Sequence, residues 1–256
     1  MHKRRLGAVR FTLIASVLVL LTILLGGCGG GETKPEEQTT ASSGPLIAHW
    51  TFDEGQGDTA SDSAGGHQMA LHSVSWTEGK IGSAIQLDGA TSYGEVEDSD
   101  DLDLSEGFTI AAWVNLAQVG TGRQMLLEKK DVEQGDNSTN YALYVQWTHD
   151  ALALVIGDGA RRVGYLSDRG LGTAGEWHHV AVTFGNGEVR FYIDGEPAGV
   201  DSATISPSTN EGPLTVGRYT GPGNEPRFGL NGSVDDLRIY NKALTPEEVQ
   251  ELISSD

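Results

Sequence analysis

Residues 177–195 read as two β-hairpins laid end to end. Runs of alternating apolar and polar residues at 177–184 and 189–193 flank Gly185-Asn186-Gly187, and Asp194-Gly195 follows at once. Asn-Gly and Asp-Gly accept the positive φ angles of tight turns whose twist matches paired strands. The same period of two recurs at 46–52, 108–114, 141–147, 214–216 and 234–240. The continuous apolar run at 151–156, closed by Gly157-Asp158-Gly159, is the pattern of a strand covered on both faces. About a dozen short strands with turns roughly every 8–12 residues predict an all-β sandwich or jelly roll. One helix is expected, at the C-terminus. Thr245 is placed as its N-cap, Pro246 as the first helical residue and Glu248 as the partner in a capping box. Val249 and Leu252 would pack it back on the sandwich.

The N-terminal region has a different character. Lys3, Arg4 and Arg5 precede an apolar run at 11–25. A run of about 15 residues is short of the roughly 20 needed to span a bilayer and suits the apolar region of an export signal. Residues 29–45 hold no large apolar side chain, cannot offset the entropy of ordering, and are expected to be a flexible tether. The expected organisation is a signal at 1–27, a linker at 28–45 and one domain at 46–256. Against 36 acidic residues stand 17 basic ones, a net charge of −19, and four of the basic residues lie in the signal. So acidic a domain has no surface to neutralise phosphates, which argues against nucleic-acid binding. Cys28 is the only cysteine, which leaves no disulfide framework and no cysteine-based zinc site.

Leu25-Gly26-Gly27-Cys28 resembles a bacterial lipobox. The resemblance implies cleavage before Cys28, diacylation of its sulfur and a lipid anchor of two or more chains, enough to hold a soluble domain on a membrane. Gly29 stands where an aspartate would retain such a protein at the inner membrane. The implied location is the bacterial cell envelope, with outer membrane or cell surface preferred. Within the domain, the strings AHWTFDEGQG, GKIGSAIQLDGATSYGEVEDSDDLDL, FTIAAWV, EWHHVAVTF, FYIDGEPAG, PLTVGR and GSVDDLRIYNKALTPEEV follow one another in order. Together they resemble the bacterial laminin-G-like domains of the concanavalin A-like lectin/glucanase superfamily. The resemblance implies a two-sheet antiparallel jelly roll with one concave sheet, as in lectins and carbohydrate-binding modules.

Many such relatives hold a structural calcium between the loop after the first strand and an aspartate of the last. On this chain the resemblance implies Asp53, Asp62 with its Gly65-Gly66 turn, and Asp235 as calcium ligands. Gly66 stands where the family turn carries Asn. The acidic stretch 98–103 lacks the central Gly and distal Glu of an EF-hand and is expected to be a polar loop. His178 and His179 are adjacent on a strand, point to opposite faces and cannot chelate one ion.

Retaining glycosidases need two carboxylates about 5–5.5 Å apart. The Glu-x-Asp-x-x-Glu string of the laminarinase-type relatives is missing, as are the serine-hydrolase and zinc-protease motifs, so a non-enzyme is expected. Sugar recognition combines an aromatic platform with a few orienting polar groups. If Leu143 and Val145 point inward, Tyr144 and Gln146 point outward, and Arg161 and Arg162 follow at the rim to meet an anionic group. Tyr144, Gln146, Arg161 and Arg162 are therefore the candidate ligand residues. Two functions stay open: a surface-anchored module that binds glycan, and a module that adheres to a surface protein or matrix.

Overall fold

Two eight-stranded antiparallel sheets stack face to face in the computed structural model, which describes residues 45–120, 122–146, 149–221 and 226–254. The expectations for the signal peptide, lipidation at Cys28 and the tether fall on 1–44, outside the described residues. The first sheet runs Glu196–Ser202 (β14), Glu188–Ile193 (β13), Trp177–Gly185 (β12), Phe108–Leu116 (β7), Asn231–Tyr240 (β18), Ser83–Asp88 (β5) and Ser75–Glu78 (β4). Leu46–Trp50 (β1) adds to β18. The second runs Arg162–Gly170 (β11), Ala151–Gly157 (β10), Thr139–Val145 (β9), Gln124–Lys130 (β8), Leu214–Val216 (β15), Tyr93–Val96 (β6), Met69–His72 (β3) and Thr59–Ala60 (β2). Tyr219–Thr220 (β16) and Pro226–Arg227 (β17) pair as a small ribbon. The predicted jelly-roll sandwich is what forms.

Both expected hairpins are present. Asn186 and Gly187 carry φ of 54° and 76° between β12 and β13, and Asp194 and Gly195 carry 53° and 77° between β13 and β14. The inward faces of the two sheets meet in one core. Phe108 of β7 lies 5.9 Å from Tyr141 of β9 and 5.1 Å from Phe184 of β12, tying one sheet to the other. Leu143 and Val145 enter this core, as do Leu152, Leu154 and Ile156 of β10. The outward residues Ala153 and Val155 of β10 are covered too, by Met125, Ala142, Tyr144 and Tyr219, which explains its unbroken apolar run.

The helix Pro246–Ser254 (α1) lies over the outer face of the first sheet, where Val249 and Leu252 pack with Ala111, Ala181 and Tyr192. Its start is a reciprocal capping box. The Glu248 N–H donates to Thr245 Oγ1 at 3.2 Å, and the Thr245 N–H donates to Glu248 Oε2 at 2.8 Å. Thr245→Ala leaves a helix donor unsatisfied and is expected to cost about 1 kcal/mol, read as a lower urea midpoint.

Candidate functional site

The outward face of the second sheet carries a groove. Residues directly opposite each other across strands point to the same side, so pairing alone defines its floor. A single row crosses all eight strands: Gly164, Val155, Ala142, Glu128, Thr215, Glu95, Ala70 and Thr59. Six of these are small or β-branched, which leaves space above the sheet. A register shift in β8 between Met125 and Leu127 puts Met125 and Glu128 on the same face although they are three residues apart.

Three adjoining cavities occupy the groove. One of about 250 Å³ lies over β8–β11, walled by Arg123, Tyr144, Arg162, Tyr219 and Phe228. It shares Glu128 with a second of about 510 Å³, walled by Tyr93, Lys130, Glu211 and Arg218. That cavity shares Glu95 with a third of about 600 Å³ between His67, His72 and Asp98.

Charged groups are held firmly along this face. Asp136 is a hub: it accepts from Lys130 Nζ at 2.6 Å and Tyr219 Oη at 2.7 Å, and pairs with Arg162 at 3.0 Å. Burial works against its ionisation, and the bonds from Lys130 and Tyr219 overcome this, holding its pKa below the ordinary carboxylate value. Arg218 lies 3.3 Å over the Tyr93 ring and pairs with Glu95 at 3.0 Å, and His72 stacks on Tyr93 at 4.3 Å. Arg123 sits 5.2 Å from the Tyr144 ring and 5.8 Å from that of Phe228. Glu128 is 2% exposed, and its burial pushes its pKa up to about 8 despite the nearby Lys130 ammonium.

The sequence candidates separate accordingly. Tyr144 and Arg162 line the groove. Arg161 does not: its side chain is 65% exposed and pairs with Asp158 at 3.5 Å on the turn outside. Gln146 lies beyond the end of β9, half-buried and away from the three cavities. Arg123, Glu128, Lys130, Asp136, Tyr219 and Phe228 were missed. They come from separate strands and loops, and only the aromatics at 219 and 228 offered a local signal.

The calcium candidates separate as well. Asp235 is fully buried; its Oδ2 accepts from the Ile81 N–H at 2.9 Å, while its buried Oδ1 has no hydrogen-bond partner among the described residues. Burial first, and then the neighbouring Asp236 carboxylate, push its pKa up to about 6, against the Ile81 bond. It faces the Gly79–Ser83 turn, where a side chain at Gly79 would put a Cβ 2.6 Å from Asp235 Oδ2 and from the Ile81 carbonyl and 2.7 Å from that of Ser83. Asp53 reaches the same turn and accepts from the Ser83 N–H at 3.0 Å. Hard oxygen donors of this kind suit calcium. Asp62 is a correction to the expected set. Its two oxygens accept from the N–H groups of His49, Ala64, Gly65 and His67 at 2.8–3.0 Å and bond the His67 ring at 2.8 Å. A carboxylate ringed by N–H donors has no lone pair left for a cation. Among the described residues no three His, Cys, Asp or Glu side chains gather as a metal site, so carbonyls would have to complete any coordination.

A model of the concanavalin A-like lectin/glucanases superfamily matches residues 88–250. The chain belongs to this superfamily. Among solved structures, this superfamily member is similar to domain 4 of AbnA, a GH43 extracellular arabinanase from Geobacillus stearothermophilus, in complex with arabinotriose. The likeness has a TM-score of 0.61 at 23% identity and covers 82% of this chain and 99% of that one. The binding domain of Paraclostridial Mosquitocidal Protein 1 matches at a TM-score of 0.63 and 17% identity, over 82% of this chain and 52% of that one. An 88-residue stretch, 32% of the chain, is 33% identical to the Rattus norvegicus "Sushi, von Willebrand factor type A, EGF and pentraxin domain-containing protein 1". The superfamily member spans 2% of that curated relative and about half of the toxin binding domain. At these identities the solved structures establish the fold.

Proposed function

We propose that the chain is a non-catalytic glycan-binding module, held at the bacterial cell envelope by lipid on Cys28. The observation that carries the reading is the continuous groove across the eight-stranded sheet, with a floor of small residues and walls of tyrosine, phenylalanine and arginine. Small floor residues let a sugar ring approach the sheet, and aromatic walls cover its apolar face. The arabinanase domain solved with arabinotriose supports this by likeness of fold. Two carboxylates, Glu128 and Glu95, share the floor, with Thr215 of β15 between them. Two strand spacings separate their backbones by about 10 Å, against the roughly 5–5.5 Å between the carboxyls of a retaining pair. Glu95 is also tied to Arg218. The pair is not spaced as a retaining pair, and the reading proposed is binding without hydrolysis.

A calcium ion at Asp235, Asp53 and the carbonyls of Ile81 and Ser83 belongs to the same proposal. It would neutralise the buried Asp235 and pin the first loop to the last strand, on the other sheet from the groove. The full chain in mild detergent is the test, on a panel of polysaccharides with calcium and with EDTA, with reducing-end release measured alongside. Binding with no release in both conditions is expected. Calcium should raise Tm by a few degrees, ~2–4 °C per kcal/mol of stabilisation, and Asp235→Asn should abolish the rise. No retention on any polysaccharide would move the reading to adhesion to a surface protein, and an unshifted Tm would remove the calcium.

A further inference from the structure

One end of the groove is unlike the rest of this acidic chain. Arg123, Arg162 and Lys130 gather there around Asp136 and Glu128. Arg162 and Lys130 both pair with Asp136, whereas no carboxylate among the described residues pairs with Arg123. The rings of Tyr144 and Phe228 lie within 5.2 and 5.8 Å of its guanidinium carbon, and its N–H groups are donors a ligand could use. Phe228 itself is 47% exposed and holds φ at 50°, a conformation that bulky residues avoid. The exposed ring adds an apolar face to the wall of the cavity beside Arg123. An aromatic face beside a guanidinium that has no carboxylate partner among the described residues suits a sugar ring that carries a carboxylate.

We propose that this end of the groove is a subsite for a hexuronic acid residue, whose carboxylate is bound by Arg123. The inference rests on the glycan-binding reading of the groove and names its ligand class. The net charge of −19 does not oppose it, because exposed charges more than about 8 Å away are screened at physiological salt and near neighbours decide. Those neighbours favour an anion. Glu128 is kept neutral at pH 7 by burial, which outweighs the pull of Lys130 and Arg162, and Asp136 adds to the rise. The ionised groups among the described residues lining this cavity are then Arg123 and Arg162, the latter paired with Asp136, while Lys130 lines the adjoining cavity with Arg218, Glu95, Asp131, Glu133 and Glu211. Above about pH 8 Glu128 ionises and a bound carboxylate meets a second negative charge.

The experiment compares a polygalacturonate oligomer with its carboxyl-reduced neutral counterpart on the full chain by calorimetry. The acidic oligomer is expected to bind at least about tenfold tighter, and Arg123→Gln to weaken it by about 10- to 100-fold while leaving the neutral oligomer unchanged. Arg123→Lys should retain part of the preference, and Arg190→Gln, an exposed pair on the other sheet, all of it. Affinity for the acidic oligomer should fall as pH rises through about 8, and Glu128→Gln should remove that fall. Equal loss of both ligands in Arg123→Gln would make Arg123 a stacking surface only and overturn the subsite. So would failure of the acidic oligomer to bind. Binding of the neutral oligomer alone would overturn the subsite and leave the glycan reading standing, and binding of neither would remove both for this polymer.

Discussion

Lys129→Met is expected to lower the stability of the domain by about 3–5 kcal/mol, because removing one partner of a buried pair strands the others. Lys129 is fully buried. Its ammonium donates to Asp98 and to the carbonyls of Asn210 and Gly212 at 3.0 and 2.9 Å, and lies 3.2 Å from Asp103. The acidic stretch 98–103 thus closes on a cation supplied by a strand of the same chain. Gly212 makes the approach possible, since a Cβ there would fall 2.0 Å from the Lys130 carbonyl. Urea denaturation followed by tryptophan fluorescence reads the loss. Arg190→Gln, which breaks an ion pair whose side chains are 46% and 45% exposed, should cost under about 1 kcal/mol. Equal costs for the two variants would contradict the assignment.

Glu128→Gln is expected to make the protein more stable at pH 8 and to change it little at pH 5. The folded state holds the Glu128 proton up to about pH 8, whereas the unfolded chain releases it near the ordinary value of 4.5. Between those values the folded state carries the extra proton, so raising the pH pulls a proton from the folded form and stability falls. The slope is about 1.4 kcal/mol per pH unit, or ~4–5 kcal/mol over the whole window. Glutamine keeps the shape and removes the titration. Asp235, pushed up to about 6, contributes a fall of the same sign at lower pH, and both proteins share it. Chemical denaturation at pH 5, 6.5 and 8 separates the two groups; parallel curves for wild type and variant would rule out a buried, protonated Glu128. The proposed weakening of anion binding and the loss of stability at high pH would then share one cause, the burial of Glu128.

Local chemistry made the sandwich legible. The hairpins at 185–187 and 194–195, the both-sided strand at 151–157 and the capped helix all follow from neighbours within a few residues. The strand Gln124–Lys130 carries no local signal of burial, because it ends on the charged run Glu128, Lys129 and Lys130. All seven residues are in fact buried. Their charges are satisfied by Asp98, Asp136, Asn210 and Gly212, some of them more than eighty residues away, and spacing along the chain carries no trace of such partners. The binding face divides in the same way. Outward direction at Tyr144 followed from alternation, and Arg162 from its place at a rim. Arg123, Tyr219 and Phe228 meet only because β8 and the ribbon after β15 fold over the same groove. Asp62 shows the converse: its turn matched a ligand pattern, and the folded chain spends both oxygens on its own N–H groups.

Alternation, turn residues and composition were enough to call for an antiparallel sandwich, a strong excess of acid over base, and a single cysteine after the apolar run at 11–25. Period, turn residues and composition are local quantities, and each acts wherever the chain goes. Which acids are paired and which are held neutral was set by the tertiary structure, because burial and charge pairing depend on distance in space.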